Sequence, residues 1–93
     1  MFYVYILTNQ TDRVLYVGVT GDLARRLREH RNGEHDGFTR RYGVQKLVYA
    51  EPYANPQDAI RREKQLKRWR RDKKEALIRS VNPQFADCAE RYM

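Results

Sequence analysis

Ninety-three residues with 41% hydrophobic and 12% aromatic content are enough for one small core, too few for two, and too apolar for a disordered tail. No apolar run approaches the roughly 20 residues that cross a bilayer. "MFYVYIL" lacks the basic lead and cleavage site of a signal peptide, and the single Cys88 allows neither an internal disulfide nor a zinc pattern. The expectation is therefore one domain over residues 1–93, cytoplasmic and away from membranes. The net charge of +7 is concentrated: "RREKQLKRWRRDKK", from Arg61 to Lys74, holds nine basic and two acidic residues and so carries the whole excess. Such a patch points to a polyanion, nucleic acid ahead of an anionic membrane, or else to a solvated helix face.

Residues 2–8 and 14–19 read as two strands, joined by the turn formers of "NQTDR" into a hairpin. Alternation puts Val4 and Ile6 on one face with Leu15, Val17 and Val19, and leaves Tyr5, Tyr16 and Gly18 together on the other. Gly18 would leave open space beside the tyrosines, as a strand glycine often does where something approaches closely. "GDLARRLREHRNG" reads as a helix capped by Asp22 and ended by Gly33, with Leu23, Ala24 and Leu27 as its apolar stripe. Arg26 and His30, four apart, lie on one edge of that stripe, where a pair can reach over a sheet. Each also has a plainer reading, a surface charge and a boundary histidine.

"NGEHDGFTRRYG" reads as a loop, and "QKLVYAEPY" as a third strand ending at Pro52. A helix follows over "NPQDAIRREKQLKRW", with Asn55 as cap, Pro56 in the first helical position and Ala59, Ile60 and Leu66 facing inward. Glu63 falls in the middle of that inward stripe, where a carboxylate must be paired or bound. Two partners are open: Lys67, four residues on, or a metal ion. The last helix is expected from near Asp72, with Glu75 completing a capping box, to Asn82 before Pro83. The order β-β-α-β-α-α makes an α+β fold.

"YVY", followed after ten residues by "YVG", resembles the paired signature of the GIY-YIG nuclease superfamily. "DLARRLREH", "GFTRRYGVQKLVYAE", "AIRREKQLKRWRRDKKEALI" and "NPQF" resemble its small, single-domain, mostly bacterial members across nearly all 93 residues. Tyr3 replaces the first glycine, and Val4 and Val17 replace the isoleucines. The resemblance implies a three-stranded antiparallel sheet flanked by helices, and a divalent-metal-dependent endonuclease acting on DNA, structured or single-stranded, in repair or recombination. It assigns catalytic positions to Tyr5, Tyr16, Arg26, His30, Glu63 and Asn82. One Mg2+ or Mn2+ would sit on Glu63; Tyr5 would help deprotonate the attacking water, and Arg26 would steady the phosphate. Arg61, Lys64, Lys67, Arg68, Arg70, Arg71, Lys73 and Lys74 would contact phosphates. Trp69 would stack on a base or, equally, cover the core. Specificity would come from substrate shape, a partner protein or a homodimer. The alternatives are a nucleic-acid-binding module of the same fold that does not cleave, and a basic adaptor for an acidic protein.

Overall fold

The computed structural model describes residues 1–34 and 37–93, leaving out His35 and Asp36 of the expected loop. Its elements are β1 (Phe2–Thr8), β2 (Leu15–Thr20), α1 (Leu23–Arg31), α2 (Gly37–Tyr42), β3 (Lys46–Tyr53), α3 (Pro56–Arg68), α4 (Arg71–Val81) and a short 3-10 turn at Ala89–Arg91. The strands form one antiparallel sheet in the order β2-β1-β3, so the expected α+β architecture holds and β2 is an open edge.

Strand alternation decides which helices go where. Val4, Ile6, Val17 and Val48 form one face and bury Ala59 and Leu66 of α3, Ile78 of α4, and Phe85. Tyr5, Leu7 and Leu47 point the other way, against Leu23 and Leu27 of α1, Val44 and Ala89. A bulge between β1 and β3 pairs Ile6 with Tyr49 but Leu7 with Leu47, so the consecutive Val48 and Tyr49 both serve the first cluster. The sheet is thus the middle layer, with α1 on the tyrosine face and α3 and α4 on the aliphatic face.

Local signals set the element ends. Asp22 accepts from the Arg25 amide at 3.1 Å to start α1, and Gly33, at φ +69°, turns the chain out of it. Asn55 accepts from the Gln57 amide at 2.8 Å, with Pro56 as the first residue of α3. The hairpin turn is held by Asn9 Oδ1, which accepts from the Arg13 and Val14 amides at 2.9 and 3.3 Å, and Arg71 donates to the carbonyls of Asp12 and Arg13.

Three expectations need correction. The segment read as a loop contains α2, ended by Gly43 at φ +63°; the glycines flanking "FTRRY" bound a helical turn rather than a coil. The expected capping box is absent because α4 starts at Arg71, which places Asp72 inside the first turn; Glu75 instead binds Arg71 at 2.6 Å. Ile60 is 42% exposed, because it sits at the margin of the α3 stripe beside Phe2, Val19 and Pro56 rather than under the sheet.

Candidate active site

Tyr5 and Gly18 are direct cross-strand partners, and the Tyr5 ring lies across the glycine. A Cβ at position 18 would stand 2.5 Å from both Cζ and the hydroxyl oxygen of Tyr5. The space expected beside the tyrosines is therefore filled by one of them. This placement carries the Tyr5 hydroxyl to α1, where it meets Nε2 of His30 at 3.2 Å. Tyr16 completes the group, with its ring centroid 5.4 Å from that of His30 and 6.4 Å from that of Tyr5. Tyr5 and His30 are each 1% exposed, whereas Tyr16 is half-buried, so Tyr16 is the outward member. Helical spacing brings His30 against the sheet while Arg26, one turn earlier, remains at the rim, its Nε 3.3 Å from Glu29.

Glu63 approaches from the other layer. Its side chain is 14% exposed and its Oε2 lies 2.7 Å from Nζ of Lys67, the helical ion pair open from the sequence. Lys67 in turn lines a cleft of about 270 Å³ with Leu15, Tyr16, Val17 and Lys74, along the open edge of β2. Two layers therefore meet at this edge: the tyrosine–histidine group from one face, Glu63, Lys67 and Lys74 from the other.

Among the described residues, no three His, Cys, Asp or Glu side chains gather into a metal-holding group. A single recessed carboxylate is chemically compatible with Mg2+ or Mn2+, which keep several waters and take further oxygens from a substrate phosphate, and Glu63 is the residue that would hold such an ion.

The basic residues divide by what they touch. Lys67 and Lys74 face the Tyr16 cleft. Arg61, Lys64, Gln65 and Arg68 line a separate groove of about 570 Å³ beside Trp69 on the outer side of α3. Arg71 is committed to the hairpin turn and to Glu75. Arg70 is exposed, 3.9 Å from Asp72. Trp69 packs against the first core cluster, with Arg62 and Lys73 5.1 and 4.2 Å from its ring centroid, so its core-covering reading is realised. Asn82 caps the C-terminus of α4. Its Nδ2 donates to the carbonyls of Val48 and Ala86 at 3.0 and 2.9 Å, and its Oδ1 accepts from the Ala86 amide at 3.0 Å, clamping the tail to β3.

A second half-buried carboxylate, absent from the expectations above, lies on β3. Glu51 of β3 accepts from Tyr49 and Tyr53, each at 2.5 Å, and from Nε and Nη2 of Arg62 at 2.9 and 3.3 Å. The signal was present: "YAEPY" puts Tyr49, Glu51 and Tyr53 on one strand face, so that the carboxylate needs a partner. Burial pushes the Glu51 carboxyl up, but the hydrogen bonds from Arg62, Tyr49 and Tyr53 outweigh it and hold the group below the ordinary carboxylate range. Burial and then the Glu51 hydrogen bond raise Tyr53 to about 12 and lift Tyr49 further still. Burial lowers Arg62, yet the bond to Glu51 leaves it net raised.

A three-stranded sheet carrying paired tyrosines on one face, with an arginine–histidine helix above and a basic helix below, defines a compact α+β domain with a polar site at a sheet edge. Residues 1–76 match the family described as the GIY-YIG catalytic domain, and the chain belongs to that family. It is 42% identical to a UPF0213 protein of Clostridium perfringens over 80 residues, covering 86% of this chain and 85% of that one. A UPF0213 protein of Haloquadratum walsbyi is 40% identical over 75 residues, with 81% and 83% covered. The solution NMR structure of a UPF0213 protein from Bacillus halodurans matches with a TM-score of 0.59 at 32% identity, covering 94% of this chain and 93% of that chain. Membership supports a nuclease-type function on a nucleic-acid substrate, and nucleases of this family typically use divalent metal ions. Among the described residues, no helix is long and apolar enough to cross a membrane.

Proposed function

We propose that the protein is a cytoplasmic, divalent-metal-dependent endonuclease, one domain over residues 1–93, that hydrolyses phosphodiester bonds of DNA in repair or recombination. The observation that carries this reading is the assembly of Tyr5, His30 and Tyr16 beside a cleft flanked by Lys67 and Lys74. In the reaction a water oxygen bonds to phosphorus, the bond to the leaving sugar oxygen breaks, the water loses a proton and the leaving oxygen gains one. A phenol of ordinary pKa, about 10, is a poor base near neutrality. The His30 imidazole nitrogen lies 3.2 Å from the Tyr5 hydroxyl, so a proton taken from water at Tyr5 has a path to His30, and the two act as a pair. Because that pair is 1% exposed, water and phosphate meet it from the side of Tyr16. Arg26 offers a guanidinium fork at the rim for phosphate oxygens, and Lys67 and Lys74 add charge beneath. The outer groove of Arg61, Lys64 and Arg68 holds flanking phosphates. A divalent ion, when bound, supplies Lewis-acid stabilisation of the phosphate charge, and Glu63 is the residue that would hold it.

The Lys67–Glu63 pair favours a second reading, a binding module that does not cleave, because it leaves the carboxylate already neutralised. One experiment separates the two. Labelled single-stranded, duplex, flapped and branched DNA and RNA are incubated with and without Mg2+, using the wild-type protein and Glu63→Gln. The nuclease reading expects cleavage in Mg2+ alone, lost in Glu63→Gln with binding retained. Binding without cleavage on every substrate selects the module, and cleavage that survives in EDTA sinks the metal-dependent mechanism.

A further inference from the structure

Resting on the metal reading of Glu63, we propose that Lys67 is a built-in competitor for the metal: its ammonium occupies the carboxylate until a divalent ion and a substrate phosphate displace it together. Three observations meet here. Glu63, at 14% exposure, is the most recessed carboxylate in any ion pair among the described residues; those of Arg25–Glu29 and Arg71–Glu75, with the same helical spacing, are 27% and 29% exposed. The Lys67 side chain is 54% exposed and its Nζ lies 2.7 Å from Oε2, so the recessed carboxylate is paired with an ammonium on a far more exposed side chain. Lys67 also lines the Tyr16 cleft next to Lys74, so a released ammonium stays within that cleft.

The consequence is a linkage between two ligands. An ion that takes Oε2 sends a second cation into a cleft already holding Lys74, which is unfavourable while the cleft holds only water. A phosphate there reverses the sign, because it accepts the displaced ammonium and Lys74 together. Metal and phosphate therefore promote each other's binding, and the coupling is reciprocal. The device keeps the carboxylate neutralised and free of stray metal until a nucleic acid backbone is in place.

The test is Mn2+ binding to the whole protein, followed by the loss of the free-ion electron paramagnetic resonance signal, so that no turnover is needed. Wild type is compared with Lys67→Met, which keeps most of the stem and removes the ammonium, with Lys67→Arg, which keeps the charge, and with Glu63→Gln. Lys74→Met removes a charge from the same cleft without unpairing the carboxylate. Lys67→Met is expected to bind Mn2+ alone about 5-fold or more tightly than wild type, the low end of ordinary coupling between sites. Lys74→Met should gain less than half of that, and Lys67→Arg should stay at the wild-type value. Adding a non-cleavable phosphorothioate oligonucleotide should tighten Mn2+ binding more in wild type than in Lys67→Met. If Lys67→Met and wild type bind Mn2+ equally while Glu63→Gln does not bind, the competitor role is overturned and the metal site stands. An equal gain in Lys67→Met and Lys74→Met also overturns it, leaving only a diffuse charge effect. Binding to Glu63→Gln that equals wild type overturns the metal reading itself.

Discussion

Gly18→Ala is the sharpest perturbation available at the tyrosine site, since it adds one methyl group and touches one ring. That methyl carbon would lie 2.5 Å from Cζ and from the hydroxyl oxygen of Tyr5, and 3.0 Å from Cε1. Carbon atoms rest at about 3.5–4.0 Å, so the end of the ring must move by about 1 Å. It has little freedom to do so, being 1% exposed and packed against His30 and Tyr16. Overpacking of this kind costs about 1–3 kcal/mol, and stretching the 3.2 Å contact to His30 beyond hydrogen-bond range adds about 1 kcal/mol. Against this, alanine restricts the unfolded chain and returns about 0.4–1 kcal/mol. The clash wins, with a net loss of roughly 1–3 kcal/mol. A domain of this size loses about 4–8 °C in Tm per kcal/mol, so the expected drop is roughly 5–20 °C by thermal unfolding. In a Tyr5→Leu background the ring atoms that clash are gone, and the same methyl should cost less by about 1 kcal/mol or more. Equal costs in both backgrounds would refute the close approach of Tyr5 to Gly18, and with it the geometry that brings the hydroxyl to His30.

The Glu51 cluster should give stability a plateau with two falling arms. A carboxylate held low contributes stability above its unfolded value of about 4.3 and loses it as pH falls through the folded one, while Tyr53, raised to about 12, contributes below about 10 and loses it as pH rises through 12. Tm measured against pH should show both arms, and Glu51→Gln should lower the plateau and flatten them; arms unchanged in that variant would assign them elsewhere. Asn82→Ala removes three hydrogen bonds of the tail clamp and should cost roughly 2–3 kcal/mol in urea unfolding, with the activity of the folded fraction intact. Lost turnover at unchanged stability would instead support the catalytic assignment given by the resemblance. Lys64 and Arg68 face the outer groove without an ion-pair partner among the described residues, so neutralising each should reduce the log–log salt slope of nucleic-acid binding by about 0.7–0.9. Arg71→Ala should lower Tm and leave that slope alone, because this arginine holds the hairpin turn.

The parts of this molecule that were legible in its sequence are those fixed by neighbours along the chain. Alternation assigned Tyr5 and Tyr16 to one face and Val4, Ile6 and Val17 to the other, because a strand leaves no third choice. Asp22, Gly33, Asn55 and Pro56 announced helix ends because a cap acts within three residues of itself. What the sequence could not show depends on partners far along the chain. The burial of His30 follows from the sheet lying beneath α1, Glu51 meets Arg62 only because α3 packs on β3, and Asn82 finds its acceptor on Val48, 34 residues earlier. Even "RREKQLKRWRRDKK", uniform in composition, becomes four environments once folded: a cleft, a groove, a half-buried bond to Glu51 and a brace on the hairpin.

The strand order explains why the site residues look scattered from within any one layer. Tyr5 and His30 belong to the α1 side of the sheet and Glu63 to the α3 side, and a continuous sheet lies between them. Groups on opposite faces can act on one phosphate only where the sheet ends. β3 cannot serve as that end, since the tail crosses it through the Cys88 amide to the Leu47 carbonyl at 2.8 Å and through the Asn82 clamp. β2 can, and it is the strand that bears Tyr16 and Gly18. An edge strand also presents backbone N–H and C=O groups that no neighbour takes, and Lys67 and Lys74 flank this one. Lysines beside an edge discourage another strand from pairing there while attracting a polyanion, so the same two side chains protect the fold and recruit the substrate proposed for it.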